Sequence, residues 1–204
     1  MSLAYPAPRP IETKRPFESR WPVQGNWTYE DYCRLPEDGW TYEVIEGELL
    51  MSPAPRTIHQ RCKGKIYVAM LLFVEKHDLG LVLDAPHDVM LEKLATPVQP
   101  DILFIAKERL HIVKPERTEG APDLIVEVLS PWNWMADRQQ KFNVYAEAGV
   151  KEYWIVDPEQ RTIELFQLRG HQYMLTGKYG VKQSVRSKIL QGFQVKVKEV
   201  CPAQ

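Results

Sequence analysis

Residues 120–150 read GAPDLIVEVLSPWNWMADRQQKFNVYAEAGV, a strand pattern followed directly by a helix pattern. The apolar neighbours of Glu127 are Leu124, Ile125, Val126, Val128 and Leu129. An apolar run of this length, rich in β-branched residues, predicts a strand that is buried on both faces. A lone carboxylate in such a strand loses hydration worth on the order of several kcal/mol. We therefore expect Glu127 to lie beside a proton, a cation or a metal ion.

The second half of this stretch supplies a cation. Residues 135–148 have a helical pattern, and the glycine that follows them is a natural end for a helix. Asp137, Lys141 and Tyr145 recur at every fourth position and therefore share one face of this helix. Because the helix must pack back on the sheet, we expect Lys141 to point towards Glu127. Tyr145 is expected to be a packing residue.

A second acidic residue occupies a similar place. Residues 98–106, VQPDILFIA, also have the pattern of a buried strand, with Asp101 just inside its start. Two carboxylates on neighbouring strands provide hard oxygen ligands of the kind that Mg²⁺ and Mn²⁺ prefer. A lysine on the next helix would hold a water molecule or stabilise charge on a phosphate. The sequence therefore predicts a divalent-metal site built on Asp101 and Glu127, with Lys141 beside it.

The composition indicates one soluble globular domain with a substantial core. The chain has 204 residues, of which 44% are hydrophobic and 26% are charged, and its formal net charge is −1. This charge excludes a strongly basic protein but is compatible with a local nucleic-acid-binding patch. No apolar run is long enough to span a membrane, and the first residues lack the apolar core of a signal peptide. Three widely separated cysteines argue against a disulfide framework or a zinc site, so we expect a cytoplasmic protein.

The order of the predicted elements indicates the fold class. Residues 1–27 are rich in proline and predict a flexible arm, and residues 28–204 predict a single domain. Thr28 is positioned to cap a short helix, with Asp31 completing a weak capping box. The longer predicted elements are strands at 42–51, 81–91, 98–106, 123–130, 152–157 and 162–168, helices at 57–77 and 135–148, and short strands at 173–175 and 193–197. This order predicts an α/β or α+β sandwich with a mixed sheet.

Several motifs together resemble a known family. Asp101 after a proline, followed by Glu127 at a separation of 26 residues (127 − 101), resembles the PD-(D/E)xK signature of the restriction-endonuclease-like superfamily. The surrounding motifs are YEVIEGELLMSPAP, His59-Gln60, VQPDILFIA, GAPDLIVEVLSP, DRQQK, YAEAGVKEYWIVDP and IELF. Together they resemble the Uma-type restriction endonuclease family over roughly residues 28–200.

The resemblance implies a fold, a reaction and a metal. The implied fold is a restriction-endonuclease-like core, in which helices flank a mixed β-sheet, with an added β-hairpin region. The implied reaction is hydrolysis of phosphodiester bonds in DNA, with Mg²⁺ or Mn²⁺ held by Asp101, Glu127 and the Val128 carbonyl. Leu129 stands where the signature has its lysine, and Lys141 matches the place to which that lysine has moved in this branch. A homodimer is expected, because cutting both strands of a duplex suits twofold symmetry.

Two further residues are candidates for the catalytic site. His59 lies in the first turn of the long helix, away from its main apolar stripe, and the resemblance gives it a role in the site. In the strand predicted at 42–51, Glu46 and Glu48 are expected on one face and Glu43 on the other. We choose Glu46 as the glutamate that faces the site, with Glu43 as the second candidate.

Two other groups of residues have open interpretations. The basic residues at the start of the long helix are Arg56, Arg61, Lys63 and Lys65. They form either a solvated helix face or a phosphate-binding surface. Trp132 and Trp134 follow the strand of Glu127, and they either stack on bases, line the site or pack in the core.

These patterns favour Mg²⁺-dependent hydrolysis of DNA. The predicted catalytic residues are Asp101, Glu127, Lys141, His59 and Glu46. An alternative from another class is an inactive nuclease-fold module that binds nucleic acid or has a structural role, in which the acidic cluster is a retained ion-pair network. Hydrolysis of RNA or another phosphodiester is a third possibility.

Overall fold

The computed structural model describes residues 21–92, 94–130 and 139–202. The strands in this part of the chain are β1 (Thr41–Ile45), β2 (Glu48–Ser52), β3 (Gly80–Asp84), β4 (Asp88–Leu91), β5 (Ala95–Val98), β6 (Ile102–Ala106), β7 (Arg117–Glu119), β8 (Leu124–Val128), β9 (Glu152–Asp157), β10 (Thr162–Arg169), β11 (Gln172–Tyr179), β12 (Ser184–Arg186) and β13 (Gln194–Lys196). The helices are α1 (Tyr29–Tyr32), α2 (Thr57–Lys76), α3 (Lys141–Ala148) and α4 (Val197–Val200), with a 3₁₀ segment at Lys107–Ile112. None of the helices within these ranges is long and apolar enough to cross a membrane.

Two mixed sheets carry the fold. The larger has six strands in the order β11-β10-β9-β8-β6-β3, and the second has five in the order β2-β1-β5-β4-β7. Each contains one parallel pair, β8 with β9 in the larger sheet and β4 with β7 in the second. Strands β12 and β13 form a small separate sheet. The predicted α+β class with a mixed sheet and helices is confirmed, and the predicted hairpin is the antiparallel pair of β9 and β10.

The central strands are buried on both faces, as their apolar runs predict. Ile102 and Phe104 of β6 pack into the core that α2 covers. Leu103 and Ile105 of the same strand pack into a second core, shared with the five-stranded sheet and α3. Strand β8 alternates in the same way, and this places Glu127 on the α3 side of the sheet.

Helix α2 covers the first core with one long stripe. Its buried residues are His59, Cys62, Lys63, Ile66, Met70 and Val74. Apart from the adjacent pair Cys62 and Lys63, they recur at intervals of three or four, the spacing of a single helix face. The expectation that His59 lies away from the apolar stripe is therefore wrong, because His59 begins the stripe one turn before Cys62 and Lys63.

The strand predicted at 42–51 is a hairpin. Strands β1 and β2 pair antiparallel, with Ile45 opposite Glu48. Glu46 and Gly47 form the turn with φ angles of 52° and 76°. Because the chain reverses there, the alternation of faces that a single strand would give does not extend across residues 46 and 47.

Two other predicted strands have different bounds. The strand predicted at 81–91 divides into β3 and β4, which belong to different sheets. Strand β5 covers residues that the sequence leaves largely unassigned, and β11 extends well beyond the short strand predicted at 173–175. The added strand β5 and the longer strand β11 enlarge the sheets without changing the fold class.

Residues 21–27 pack on the β1–β2 hairpin. The Gln24 amide donates to the Leu49 carbonyl at 3.1 Å and accepts from the Leu49 N–H at 2.8 Å. Trp27 is only 5% exposed. The folded part of the chain therefore includes these residues, which the sequence assigns to the arm. Residues 1–20 of that predicted arm lie outside the described residues.

Gly47 occupies a turn with no space for a side chain. A Cβ there would lie 2.4 Å from the carbonyl oxygen of Gly25, and the N–H groups of Gly25 and Trp27 both donate to the Gly47 carbonyl at 2.9 Å. We expect Gly47→Ala to lower the free energy of unfolding by about 2–3 kcal/mol. Gly39→Ala is the control. Gly39 also has a positive φ (86°), but a Cβ added there would have no neighbouring atom within 4 Å. It should cost about 1 kcal/mol. Equal losses in denaturant unfolding would contradict the close approach at Gly47.

Candidate active site

Two carboxylates meet where the central strands β6 and β8 lie side by side. These strands are antiparallel, and Ile102 pairs with Val126. Asp101, which directly precedes β6, therefore lies next to Glu127. The Asp101 N–H approaches Glu127 Oε2 at 3.4 Å. The structure thus brings together the two acids that the sequence pairs.

The Asp101 side chain is held through one of its two oxygens. Oδ2 accepts a hydrogen bond from the Val128 N–H at 2.8 Å, and His59 Nε2 lies 3.1 Å from the same oxygen. No hydrogen bond from a described residue reaches Oδ1. The carboxylate is therefore fixed in orientation while it keeps an oxygen available to a ligand.

Glu127 shares a buried cation with Glu43. Lys141 Nζ lies 3.1 Å from Glu127 Oε1 and 3.0 Å from Glu43 Oε2. The Lys141 side chain is 4% exposed. Because two carboxylates surround one ammonium and Asp101 lies beside them, the cluster has an excess of negative charge.

Tyr145, for which the sequence predicts packing, is also part of this cluster. Its hydroxyl donates to Glu127 Oε1 at 2.8 Å, and the residue is fully buried. Burial raises the pKa of Tyr145 well above its ordinary value, and the charges of Glu127 and Glu43 raise it further. The phenol therefore stays protonated and remains a donor. Its spacing of four residues from Lys141 was the available signal, since that spacing places both side chains on one helix face.

Removing this phenol should have a measurable cost. We expect Tyr145→Phe to lower the free energy of unfolding by about 1.5–3 kcal/mol, because a hydrogen bond to a buried carboxylate is lost. The matched control is Tyr173→Phe, since the Tyr173 hydroxyl donates to the neutral carbonyl of Val150 at 2.9 Å. That control should lose about 1 kcal/mol. Urea unfolding of both variants checks this, and a smaller loss in Tyr145→Phe than in Tyr173→Phe would contradict the pairing with Glu127.

Glu46 does not reach the cluster. It is exposed in the turn between β1 and β2, whereas Glu43 is buried within β1 at 5% exposure. Glu43 Oε1 also accepts a hydrogen bond from the Gln99 N–H at 2.7 Å. The choice of Glu46 over Glu43 as the site-facing glutamate is therefore corrected. Glu48 is exposed as well, and it accepts a hydrogen bond from Gln140.

One open cavity, with a volume of about 950 Å³ including its mouth, is lined by the two acids Asp101 and Glu127 and by their partners. Its charged and titratable lining consists of Glu43, Arg56, His59, Lys63, Asp101, Glu127 and Lys141. Of the basic cluster at the start of α2, Arg56 and Lys63 line this cavity, and Arg61 and Lys65 do not. Lys63 Nζ donates to the Ala85 carbonyl at 2.8 Å and lies 3.1 Å from Asp84 Oδ2.

The donor set in the cavity fits a hard divalent cation. Asp101, Glu127 and Val128 line the cavity together and offer carboxylate and carbonyl oxygens. Mg²⁺ usually keeps several of its waters and takes only one or two protein carboxylates. In the described ranges no group of three His, Cys, Asp or Glu side chains is arranged to hold a metal ion. A site on these residues would therefore rely on two carboxylates, a backbone carbonyl and water.

Three residues of the sequence predictions cannot be placed in this cavity. Asp137, Trp132 and Trp134 lie outside the described residues. Of the five predicted catalytic residues, the structure brings together Asp101, Glu127, Lys141 and His59.

Comparisons with known proteins agree with this fold. The model of the Uma2 family, described as "Putative restriction endonuclease", matches residues 29–198. No curated protein matches the chain. The crystal structure of a "putative nuclease belonging to DUF820" from Anabaena variabilis ATCC 29413 has a TM-score of 0.70 and 17% sequence identity, and the match covers 85% of this chain and 97% of that one. At this identity the likeness shows the fold alone, and it confirms the nuclease-type fold that the sequence predicts. Since the family model spans most of the sequence, this chain belongs to the Uma2 family.

Proposed function

We propose that this protein is a metal-dependent endonuclease that hydrolyses phosphodiester bonds in DNA. The observation that carries the proposal is the convergence of Asp101, Glu127 and Lys141 in one cavity, with Lys141 Nζ 3.1 Å from Glu127. The excess of negative charge in the cluster attracts a cation, and the exposed Arg56 that lines the cavity suits a phosphate. We expect Mg²⁺ or Mn²⁺ as the ion.

Asp101, Glu127 and the Val128 carbonyl would hold the ion. A bound divalent ion polarises the phosphodiester and lowers the pKa of a coordinated water. His59 orients Asp101 through the contact with Oδ2. The Val128 N–H fixes the same oxygen from the other strand, at 2.8 Å. These two contacts leave Oδ1 of Asp101 for the ion.

Lys141 is the cation that replaces the lysine missing at Leu129. Its ammonium is oriented by Glu43 and Glu127, so it has little freedom to leave the cavity. From there it orients the attacking water or offsets the negative charge that develops on the phosphate in the transition state. Glu43, rather than Glu46, supports it. Cutting both strands of a duplex suits a homodimer, and we include that assembly, in the cytoplasm, in the proposal.

A second candidate function is an inactive module that binds nucleic acid. The bridge from Glu43 through Lys141 to Glu127 favours it, because a retained structural ion-pair network would have the same contacts. The two candidates differ in whether bound nucleic acid is cut.

Incubation of the purified protein with plasmid DNA and Mn²⁺ separates them. The proposal expects nicked or linear products that EDTA suppresses and that Asp101→Ala does not form. Intact plasmid at every metal concentration, together with retention of the DNA on a native gel, would favour the inactive module. RNA added in parallel tests the class of nucleic acid.

A further inference from the structure

A second cavity opens beside the proposed active site, and we propose that it binds the base of the nucleotide next to the scissile phosphate. This inference rests on the proposed nuclease function. The second cavity has a volume of about 720 Å³ including its mouth. Arg56, His59 and Ser130 line both cavities. Because the cavities are adjacent, a nucleotide whose phosphate lies in the first cavity can extend its sugar and base into the second.

Part of the lining of the second cavity is apolar. Its apolar residues are Ile58 from the first turn of α2, Leu129 after β8 and Pro158 after β9. Pro158 is buried, and the other two are half-buried. Apolar side chains of this kind pack on the face of a base and gain little from a phosphate or a sugar alone.

The charges of the two cavities differ in a way that separates phosphate from base. The first cavity is lined by the buried lysines Lys63 and Lys141, whereas Asp157 and Glu159 are among the residues that line the second. Carboxylates repel a second phosphate, but they accept hydrogen bonds from the amino and imino groups of bases. The second cavity therefore suits a base better than another phosphate.

The junction between the cavities is cationic. The exposed Arg56 side chain lines both spaces, and it makes no hydrogen bond or ion pair with another described residue. A guanidinium there can contact the phosphate that links the two nucleotides. Gln160 also lines the second cavity, and its N–H donates to Asp157 Oδ1 at 2.9 Å, which fixes the turn that carries the exposed Gln160 side chain.

A base that enters this cavity cannot remain paired and stacked in a duplex. Enzymes that bind a base in a pocket take a single-stranded substrate or turn the nucleotide out of the helix. The inferred substrate is therefore a nucleic acid with an unpaired or extruded nucleotide at the cut.

Binding of two labelled single strands tests this subsite. One strand is oligothymidine, and the other is an abasic strand with the same number of phosphates. Fluorescence anisotropy in Ca²⁺ should show that the wild-type protein binds oligothymidine roughly tenfold more tightly. Ile58→Trp, which fills the cavity, should reduce the affinity for oligothymidine to that for the abasic strand and leave the latter unchanged.

A second variant keeps the test valid if Ile58→Trp does not fold. Gln160→Ala changes an exposed side chain on the rim and should reduce the preference for bases about threefold. Gln172→Ala, at an exposed glutamine that lines neither cavity, should preserve the preference.

The outcomes separate this inference from the proposed function. Equal binding of both strands by the wild-type protein would overturn the subsite, as would a preference that survives both Ile58→Trp and Gln160→Ala. A base preference that these variants remove, in a protein that cuts no nucleic acid with Mn²⁺, would support the subsite and contradict hydrolysis. Cleavage without any base preference would support hydrolysis and contradict the subsite.

Discussion

Lys141→Ala should abolish cleavage and also lower the free energy of unfolding by about 3–5 kcal/mol. The ammonium is the shared partner of Glu43 and Glu127, which are 5% and 3% exposed. Its removal takes away the cation that these two buried carboxylates share. The loss of cleavage follows from the proposal, since Leu129 occupies the usual lysine position and cannot carry charge.

Stability and activity can be separated with two further variants. Lys141→Met keeps most of the side-chain volume, and the double variant Lys141→Met/Glu43→Gln also removes one of the two buried negative charges. We expect the double variant to recover part of the stability of Lys141→Met in guanidinium unfolding and to remain inactive. Lys141→Arg should restore cleavage poorly, because a planar fork replaces a compact charge. Full cleavage by Lys141→Ala would end the assignment of Lys141.

Asp101→Asn should weaken the binding of Mn²⁺ at least about a hundredfold. Asparagine retains an oxygen that can accept the Val128 N–H, so the connection between β6 and β8 is preserved while a charged ligand is lost. Glu127→Gln should weaken Mn²⁺ binding in the same way, because it also removes a carboxylate from the donor set.

Isothermal calorimetry measures this loss directly. Asp84→Asn is the matched control, since Asp84 pairs with Lys63 at 3.1 Å and is not a proposed ligand. It should bind Mn²⁺ as the wild-type protein does. Wild-type affinity in both Asp101→Asn and Glu127→Gln would contradict the proposed ligand set.

The strands that carry the two acids could be predicted because the apolar residues next to each acid indicate a buried strand. The apolar runs around Asp101 and Glu127 have few alternatives to a central strand, and such strands lie side by side in a sheet. The position of Lys141 followed from the helix that must pack back on that sheet. The two strands and the position of Lys141 were predictable because they depend only on the local residue pattern and on the packing of one helix on the sheet.

The parts that could not be predicted depend on tertiary contacts. In YEVIEGELLM the residues Glu46-Gly47-Glu48 interrupt the apolar pattern, but one glycine fits both a turn and an irregularity within a single strand, so the reversal is decided only by the pairing of β1 with β2. His59 and Lys63 are polar residues on a buried face, and sequence alone does not distinguish them from solvated ones. Tyr145 suits packing and hydrogen bonding equally well, and only the position of Glu127 decides between them.

In the proposed function, the cavity that contains Asp101, Glu127 and Lys141 hydrolyses phosphodiester bonds. The most direct measurement is the cleavage rate of one fluorescent oligonucleotide in Mn²⁺ by the wild-type protein, Asp101→Asn, Glu127→Gln, Lys141→Ala and the control Asp84→Asn, all purified identically. We expect cleavage by the wild-type protein and Asp84→Asn alone, and none in EDTA. Cleavage at the same rate by all five proteins, or by none of them, would contradict the proposed function.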